Sequence, residues 1–113
     1  MSLDIFLDRE YDFNKYNCSH FVADVWKHLT GEYIGDICDA FVNSELDVYF
    51  NLFRQRKKLC IPETPCVVFM QADKVVPHAG IYIDGRVIHL TQQGAKFEDL
   101  CMLKVYYRLS YYK

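Results

Sequence analysis

Between Cys18 and Leu29 apolar residues recur every three or four positions, at Cys18, Val22, Val25 and Leu29, with Phe21 and Trp26 beside them. That period marks a helix that buries one stripe. Asn17 precedes it as a good N-cap, and Gly31 follows Thr30 where a left-handed C-cap would fall. The spacing predicts a helix over Cys18–Leu29. A second helix is predicted from near Ser44 to near Leu59. Ser44 and Asp47 resemble a capping box, with Asp in place of the usual Glu. Leu46, Tyr49, Phe50 and Phe53 form its apolar face, and Pro62 lies beyond its end. The first sixteen residues mix acids with Ile5, Phe6, Leu7, Tyr11, Phe13 and Tyr16, which predicts a short helix or an ordered arm with its rings packed inward.

Beyond Pro65 the period becomes strand-like. Cys66–Gln71 reads as a short buried strand, and His78–Ile83 and Arg86–Leu90 as two more around Asp84-Gly85. Asp-Gly between such runs is a strong hairpin signal, because both residues tolerate the positive φ of a two-residue turn. Lys104–Tyr111, rich in Tyr and Val, reads as a last strand. Helices followed by an antiparallel sheet predict an α+β class.

Composition narrows the possibilities. A chain of 113 residues holds one domain, 1–113, because a second core would bury too little surface. With 51% hydrophobic and 25% charged residues it is expected to be a globular protein, not a disordered one. A net charge of −2 supplies no basic field for nucleic acid. The longest apolar run, Cys66-Val67-Val68-Phe69-Met70, falls far short of the roughly 20 residues of a membrane span. The opening Met-Ser-Leu-Asp-Ile-Phe-Leu-Asp-Arg lacks the pattern of a secretory signal, so cytoplasmic synthesis is expected. The 5 cysteines are an odd count without a secretory signal, which argues for free thiols in a reducing compartment, and they include no Cys-x-x-Cys pair. Cys38, Cys60, Cys66 and Cys101 are expected to be small buried hydrophobes.

Cys18 is different. A thiol in the first turn of a helix meets the positive end of the helix dipole and unpaired N–H groups, which favour the thiolate. The hairpin supplies a base. With Asp84-Gly85 as its turn, Ile83 faces Arg86 and Ile81 faces Ile88. Alternation then puts Ala79, Ile81, Ile83, Ile88 and Leu90 on one apolar face, and His78, Gly80, Tyr82, Val87, His89 and Thr91 on the other. His78 and His89 become diagonal neighbours, about 7–8 Å apart by Cα and within reach of a ring–ring hydrogen bond. Gly80, opposite His89, should leave open space there. A cysteine at a helix start followed by two paired histidines has the nucleophile, base and orienter order of cysteine hydrolases. Nothing in the pattern calls for a metal or an organic cofactor.

These residues resemble a known family. Tyr16-Asn17-Cys18-Ser19-His20-Phe21-Val22 is similar to the helix-start motif of the NlpC-type cysteine peptidases, commonly Asp-Cys-Ser-Gly-Phe-Val. His78-Ala79-Gly80-Ile81-Tyr82-Ile83 followed by Val87-Ile88-His89 resembles their His-Val-Gly-Ile-Tyr-Ile hairpin, and Pro65-Cys66-Val67-Val68-Phe69 stands where they have Gly-Asp-Leu-Val-Phe. The resemblance runs from about residue 11 to residue 91. It implies a papain-like NlpC-type fold, N-terminal helices on a small antiparallel sheet, with Cys18 as nucleophile, His78 as base and His89 orienting it. It further implies an oxyanion site at the Cys18 N–H, helped by a tyrosine hydroxyl from Tyr11 or Tyr16. Ser19 and His20 would shape the acyl pocket. The implied substrate is the γ-D-glutamyl–diamino acid link of peptidoglycan stem peptides. Small members resemble bacteriophage tail proteins, which implies a virion-associated protein with other tail proteins as partners.

Asn17 and His20 depart from the commonest motif, and Asn-Cys-x-His-Phe echoes lecithin retinol acyltransferase-like relatives, which carry their histidine before the cysteine. Two alternatives therefore stand beside the hydrolase: a structural tail component without activity, and an acyltransferase or thioesterase with a non-wall substrate. Other features have simpler readings. His20, Asp24 and His28 share a helix face that could hold zinc or simply be solvated. Arg54, Arg56, Lys57 and Lys58 could meet an anionic polymer or complement a helix C-terminus. Tyr106, Tyr107, Tyr111 and Tyr112 suit either an interface or the last strand.

Overall fold

A computed structural model describes residues 3–12, 15–36, 40, 45, 56–73 and 77–113. The class is α+β. Helix α1 spans Cys18–Thr30, and the strands are β1 (Lys58–Leu59), β2 (Cys66–Gln71), β3 (His78–Ile83), β4 (Arg86–Thr91), β5 (Gly94–Asp99) and β6 (Arg108–Tyr112). A short helix α2, Leu100–Tyr106, lies between β5 and β6, and a 3-10 turn covers Asp4–Phe6. The strands form one antiparallel sheet in the order β1-β6-β2-β3-β4-β5.

The sheet is covered on both faces. On one, Phe21, Val22, Val25 and Trp26 of α1 pack with Val67, Phe69, Ala79, Ile81, Ile88 and Leu90. On the other, Leu100 and Leu103 of α2 pack with Cys66, Val68, Met70, Val87 and Tyr111. This explains the unbroken apolar run of β2. Each successive side chain from Cys66 to Met70 is buried, alternately on one face and the other, as in strands sandwiched between helices.

Both ends of α1 are set locally. Asn17 Oδ1 accepts the Ser19 N–H at 3.0 Å, while His20 Nδ1 accepts the Asn17 N–H at 3.1 Å. This is a capping box whose third residue is a histidine in the place usually taken by Glu or Gln. Gly31 ends the helix at φ 82°, the left-handed region where a Cβ would strain the backbone. Just beyond it, Glu32 accepts the indole N–H of Trp26 at 2.9 Å and receives both ends of the Arg56 guanidinium at 3.0 and 2.9 Å. Arg56 also lies over the Trp26 ring. Its hydrogen bond to Glu32, followed by that of Trp26, holds the Glu32 carboxyl below its ordinary value.

Several expectations are corrected. Helix Cys18–Leu29 runs one residue further. Most of the second helix, including Ser44, Leu46, Asp47, Tyr49, Phe50 and Phe53, lies outside the described residues, as do Phe13, Cys38 and Arg54. Its expected end is not helical: Lys58 and Leu59 form β1, paired with Tyr112 and Tyr111. The last strand begins at Arg108, because residues 104–106 finish α2. Leu100 and Leu103, three apart, bury one helical face, which outweighs the strand preference of Val105 and Tyr106. One helix therefore follows the strands β1–β5 and covers the second face. Strand β5 was not anticipated, although Ala95 and Phe97 alternate with Lys96 and Glu98 after Gly94. Cys66 is buried as expected, but Cys60 and Cys101 are exposed. In the opening segment Phe6 is buried while Ile5 and Leu7 face outward. Among the described residues no helix is long and apolar enough to cross a membrane.

Candidate active site

The hairpin positions the two histidines. Asp84 and Gly85 occupy the turn at φ 48° and 91°, both positive, as a two-residue hairpin turn requires. The loop before β2 clips this turn, with the Asp84 N–H donating to Thr64 Oγ1 at 2.8 Å. Ile83 pairs with Arg86, Tyr82 with Val87 and Ile81 with Ile88, the register expected from the sequence. His78 Nε2 lies 2.7 Å from His89 Nδ1, with the rings nearly edge to face at 69°. Beyond it, His89 Nε2 lies 3.1 Å from Glu98 Oε1 of β5. Burial, then the charge of His89, pushes the His78 imidazole down to about 3. Burial likewise lowers His89, against the opposing pull of the Glu98 carboxylate. Both rings are thus held neutral near pH 7.

The space at Gly80 is not open. A Cβ there would lie 2.5 Å from Val87 Cγ1 and 3.1 Å from His89 Cβ. Glycine is needed because these neighbours lean across the position. Glu98 and Lys96 escaped the sequence reading along with their strand. Lys96 stands opposite His89 in register, and both line a cavity of about 470 Å³ with Glu98, Thr91, Leu103 and Tyr107.

Cys18 opens α1 behind the Asn17 cap and is 4% exposed, within the cluster that holds Ala79, Ile81 and Ile88. His78 pairs with Met70, a member of the opposite cluster. Paired residues share a face, so His78 and His89 stand on the face turned away from α1. The hydrogen bonds of the two imidazoles run to each other and to Glu98; none joins them to Cys18. The structure therefore brings together His78 and His89, but does not bring Cys18 into hydrogen-bond reach of them.

The flanking candidates have distinct surroundings. Tyr16 donates its hydroxyl to Asp24 Oδ2 at 2.6 Å, stacks on His20 and lies under Arg9. Burial, then the Asp24 hydrogen bond, raises its phenol far above the usual value. Tyr11 is half-buried, and its phenol is raised by burial and next by the charge of Cys18, which identifies it as a neighbour of the thiol. Ser19 is buried, its hydroxyl donating to Asn17 Oδ1 at 2.7 Å. His20 serves the cap through Nδ1. Tyr16, Ser19, His20 and Asp24 also border a small cavity of about 150 Å³ with Tyr33.

The zinc-spaced residues have separate partners: His20 the cap, Asp24 the Tyr16 hydroxyl, and His28 the edge of Phe6. Arg56 of the basic cluster is taken up by Glu32. Of the four tyrosines, Tyr106 is exposed on α2, Tyr111 is buried, and Tyr112 packs edge-on against Phe69. Compared with known proteins, the chain matches no family model and no curated protein.

Proposed function

We propose that the protein is a thiol hydrolase with a papain-like, NlpC-type fold that cleaves an amide bond of peptidoglycan stem peptides, of the γ-D-glutamyl–diamino acid type. The observation that carries this reading is the 2.7 Å bond between His78 and His89, a base held by a second imidazole in the hairpin that resembles the family's. The resemblance to small phage tail proteins supplies a route to the wall, with other tail proteins as partners.

In this mechanism His78 takes the Cys18 proton and the thiolate attacks the scissile carbonyl. The carbonyl oxygen becomes an oxyanion beside the Cys18 N–H, the first of the helix, with Tyr11 as the tyrosine candidate because the Tyr16 hydroxyl donates to Asp24. Collapse breaks the C–N bond, and His78 returns its proton to the departing amine. Water then attacks the thioester, His78 takes a proton from it, and the thiol is released. The chemistry needs the thiol and His78 to meet.

The test is cleavage of a γ-D-glutamyl–diaminopimelyl peptide. His78→Ala should lower turnover by about 10²–10⁴-fold, the range for a general acid–base group, and Cys18→Ala should abolish it. Iodoacetamide should alkylate Cys18 at pH 6 in the wild type and more slowly in His78→Ala. A second reading, a structural tail component without activity, is favoured by one observation: Cys18 is buried in the cluster across the sheet from the imidazoles. No cleavage, with Cys18 alkylation indifferent to His78, would select it.

A further inference from the structure

The two contacts Glu98–His89 and His89–His78 form a line in which each gap holds one proton. An ionised carboxylate can only accept, so the proton between His89 and Glu98 sits on His89 Nε2. A neutral imidazole carries one N–H, which leaves His89 Nδ1 bare. That bare nitrogen, 2.7 Å from His78 Nε2, accepts from it, so His78 carries its proton on Nε2 and leaves Nδ1 bare in turn. Among the described residues no buried side-chain nitrogen or oxygen lacks a partner. His78 Nδ1 makes neither of these bonds, so it reaches solvent.

We propose that Glu98 is a positioning residue, which sets the proton order along this line and makes Nδ1 of His78 the free basic nitrogen of the pair. The structural proposal stands on the geometry; its catalytic meaning rests on the hydrolase reading above. Without Glu98, nothing holds the His89 proton on Nε2. His89 can then donate from Nδ1 to His78 Nε2, and the His78 proton moves to Nδ1, capping the atom that would act as base. The carboxylate also answers the positive charge that the pair acquires when His78 takes a proton. It sits where it can do both: its side chain is 37% exposed, whereas that of His89 is 6% exposed. The other polar groups that line the cavity with His89 are Thr91 and Gln93, Lys96 on β5, and Tyr106 and Tyr107 at the end of α2. None of them is hydrogen-bonded to the imidazole Nε2, which leaves Glu98 as the group that orients it.

Long-range ¹⁵N–¹H correlation spectra of histidine-labelled protein at pH 7 read each tautomer directly. In the wild type, His78 and His89 should both carry the proton on Nε2. In Glu98→Ala, the His78 Nδ1 resonance should shift from the bare toward the protonated position. Glu98→Gln, whose amide oxygen still accepts, should keep the wild-type tautomers but titrate at lower pH, because no carboxylate stabilises the charged pair. A wild-type His78 protonated on Nδ1, or an unchanged tautomer in Glu98→Ala, overturns the proposal. If Glu98→Ala does not fold, Glu98→Leu, which keeps the bulk but removes the acceptor, takes its place, and an unchanged His78 tautomer there overturns the proposal. The hydrolase reading fails separately, through Cys18 alkylation that ignores His78→Ala, and leaves the proton order to be judged on the spectra.

Discussion

Holding two imidazoles neutral within the sheet has a cost in acid that can be worked out. His78 ordinarily protonates near pH 6.5, and in the folded chain burial and its partner lower that to about 3. Between those values the unfolded chain binds a proton that the folded chain does not. The stability from this group is therefore complete above about pH 6.5 and is lost as pH falls toward 3. At pH 4.5, two units below the ordinary value, the loss is about 2–3 kcal/mol at 1.36 kcal/mol per unit. We count His78 alone because the loss is read against a variant that keeps His89. That is a large part of the roughly 5–15 kcal/mol that holds a small domain folded. Urea unfolding at pH 7.5, 6.0, 5.0 and 4.5 would measure it, with His78→Gln as the control for carboxylates elsewhere. The wild type should lose about 2–3 kcal/mol more than the variant between pH 7.5 and 4.5. Parallel curves for the two proteins would refute the reasoning, since His78 would then protonate as readily folded as unfolded.

Other perturbations test separate parts of the structure. Gly80→Ala should destabilise by about 1–3 kcal/mol, because the new Cβ meets Val87 and His89; thermal unfolding would show an unchanged midpoint if that packing is wrong. Asn17→Ala removes the acceptor for the Ser19 N–H and should lower stability by about 1 kcal/mol, measured by urea midpoint. Cys60 and Cys101 should be alkylated in the folded protein, whereas Cys66, buried and with its thiol raised to about 11 chiefly by burial, should react only on unfolding. Peptide mass spectrometry with and without urea reads all three.

The parts legible in the sequence were those with local signals. Asn17 and Gly31 bounded α1 because caps are chosen by their own backbone geometry. Asp84-Gly85 fixed the hairpin register, and the register alone carried His78 to His89. The parts that were missed depend on distant partners. The helix over Leu100–Tyr106 forms because Leu100 and Leu103 find the second face of the sheet, a face the strand pattern of Tyr and Val could not reveal. Lys58 and Leu59 are extended because residues 111–112 pair with them from the far end of the sequence. Glu98 was missed because its strand is exposed on both sides and announces itself only by a weak alternation. The same limit applies to Cys18. Its helix position is local and was legible, but the side of the sheet that receives the helix is a tertiary choice.

The placement of β6 between β1 and β2 also bears on how the chain folds. Strands β2 to β4 are neighbours in sequence and can pair with one another without the rest of the chain. The outer edge of β2 must wait for residues 108–112. Until those residues dock, the folding chain presents Val67–Met70, its most apolar strand, as an open edge able to pair with a neighbouring chain. Slower docking of β6 would lengthen this exposure, so losses to aggregation during refolding should rise with protein concentration.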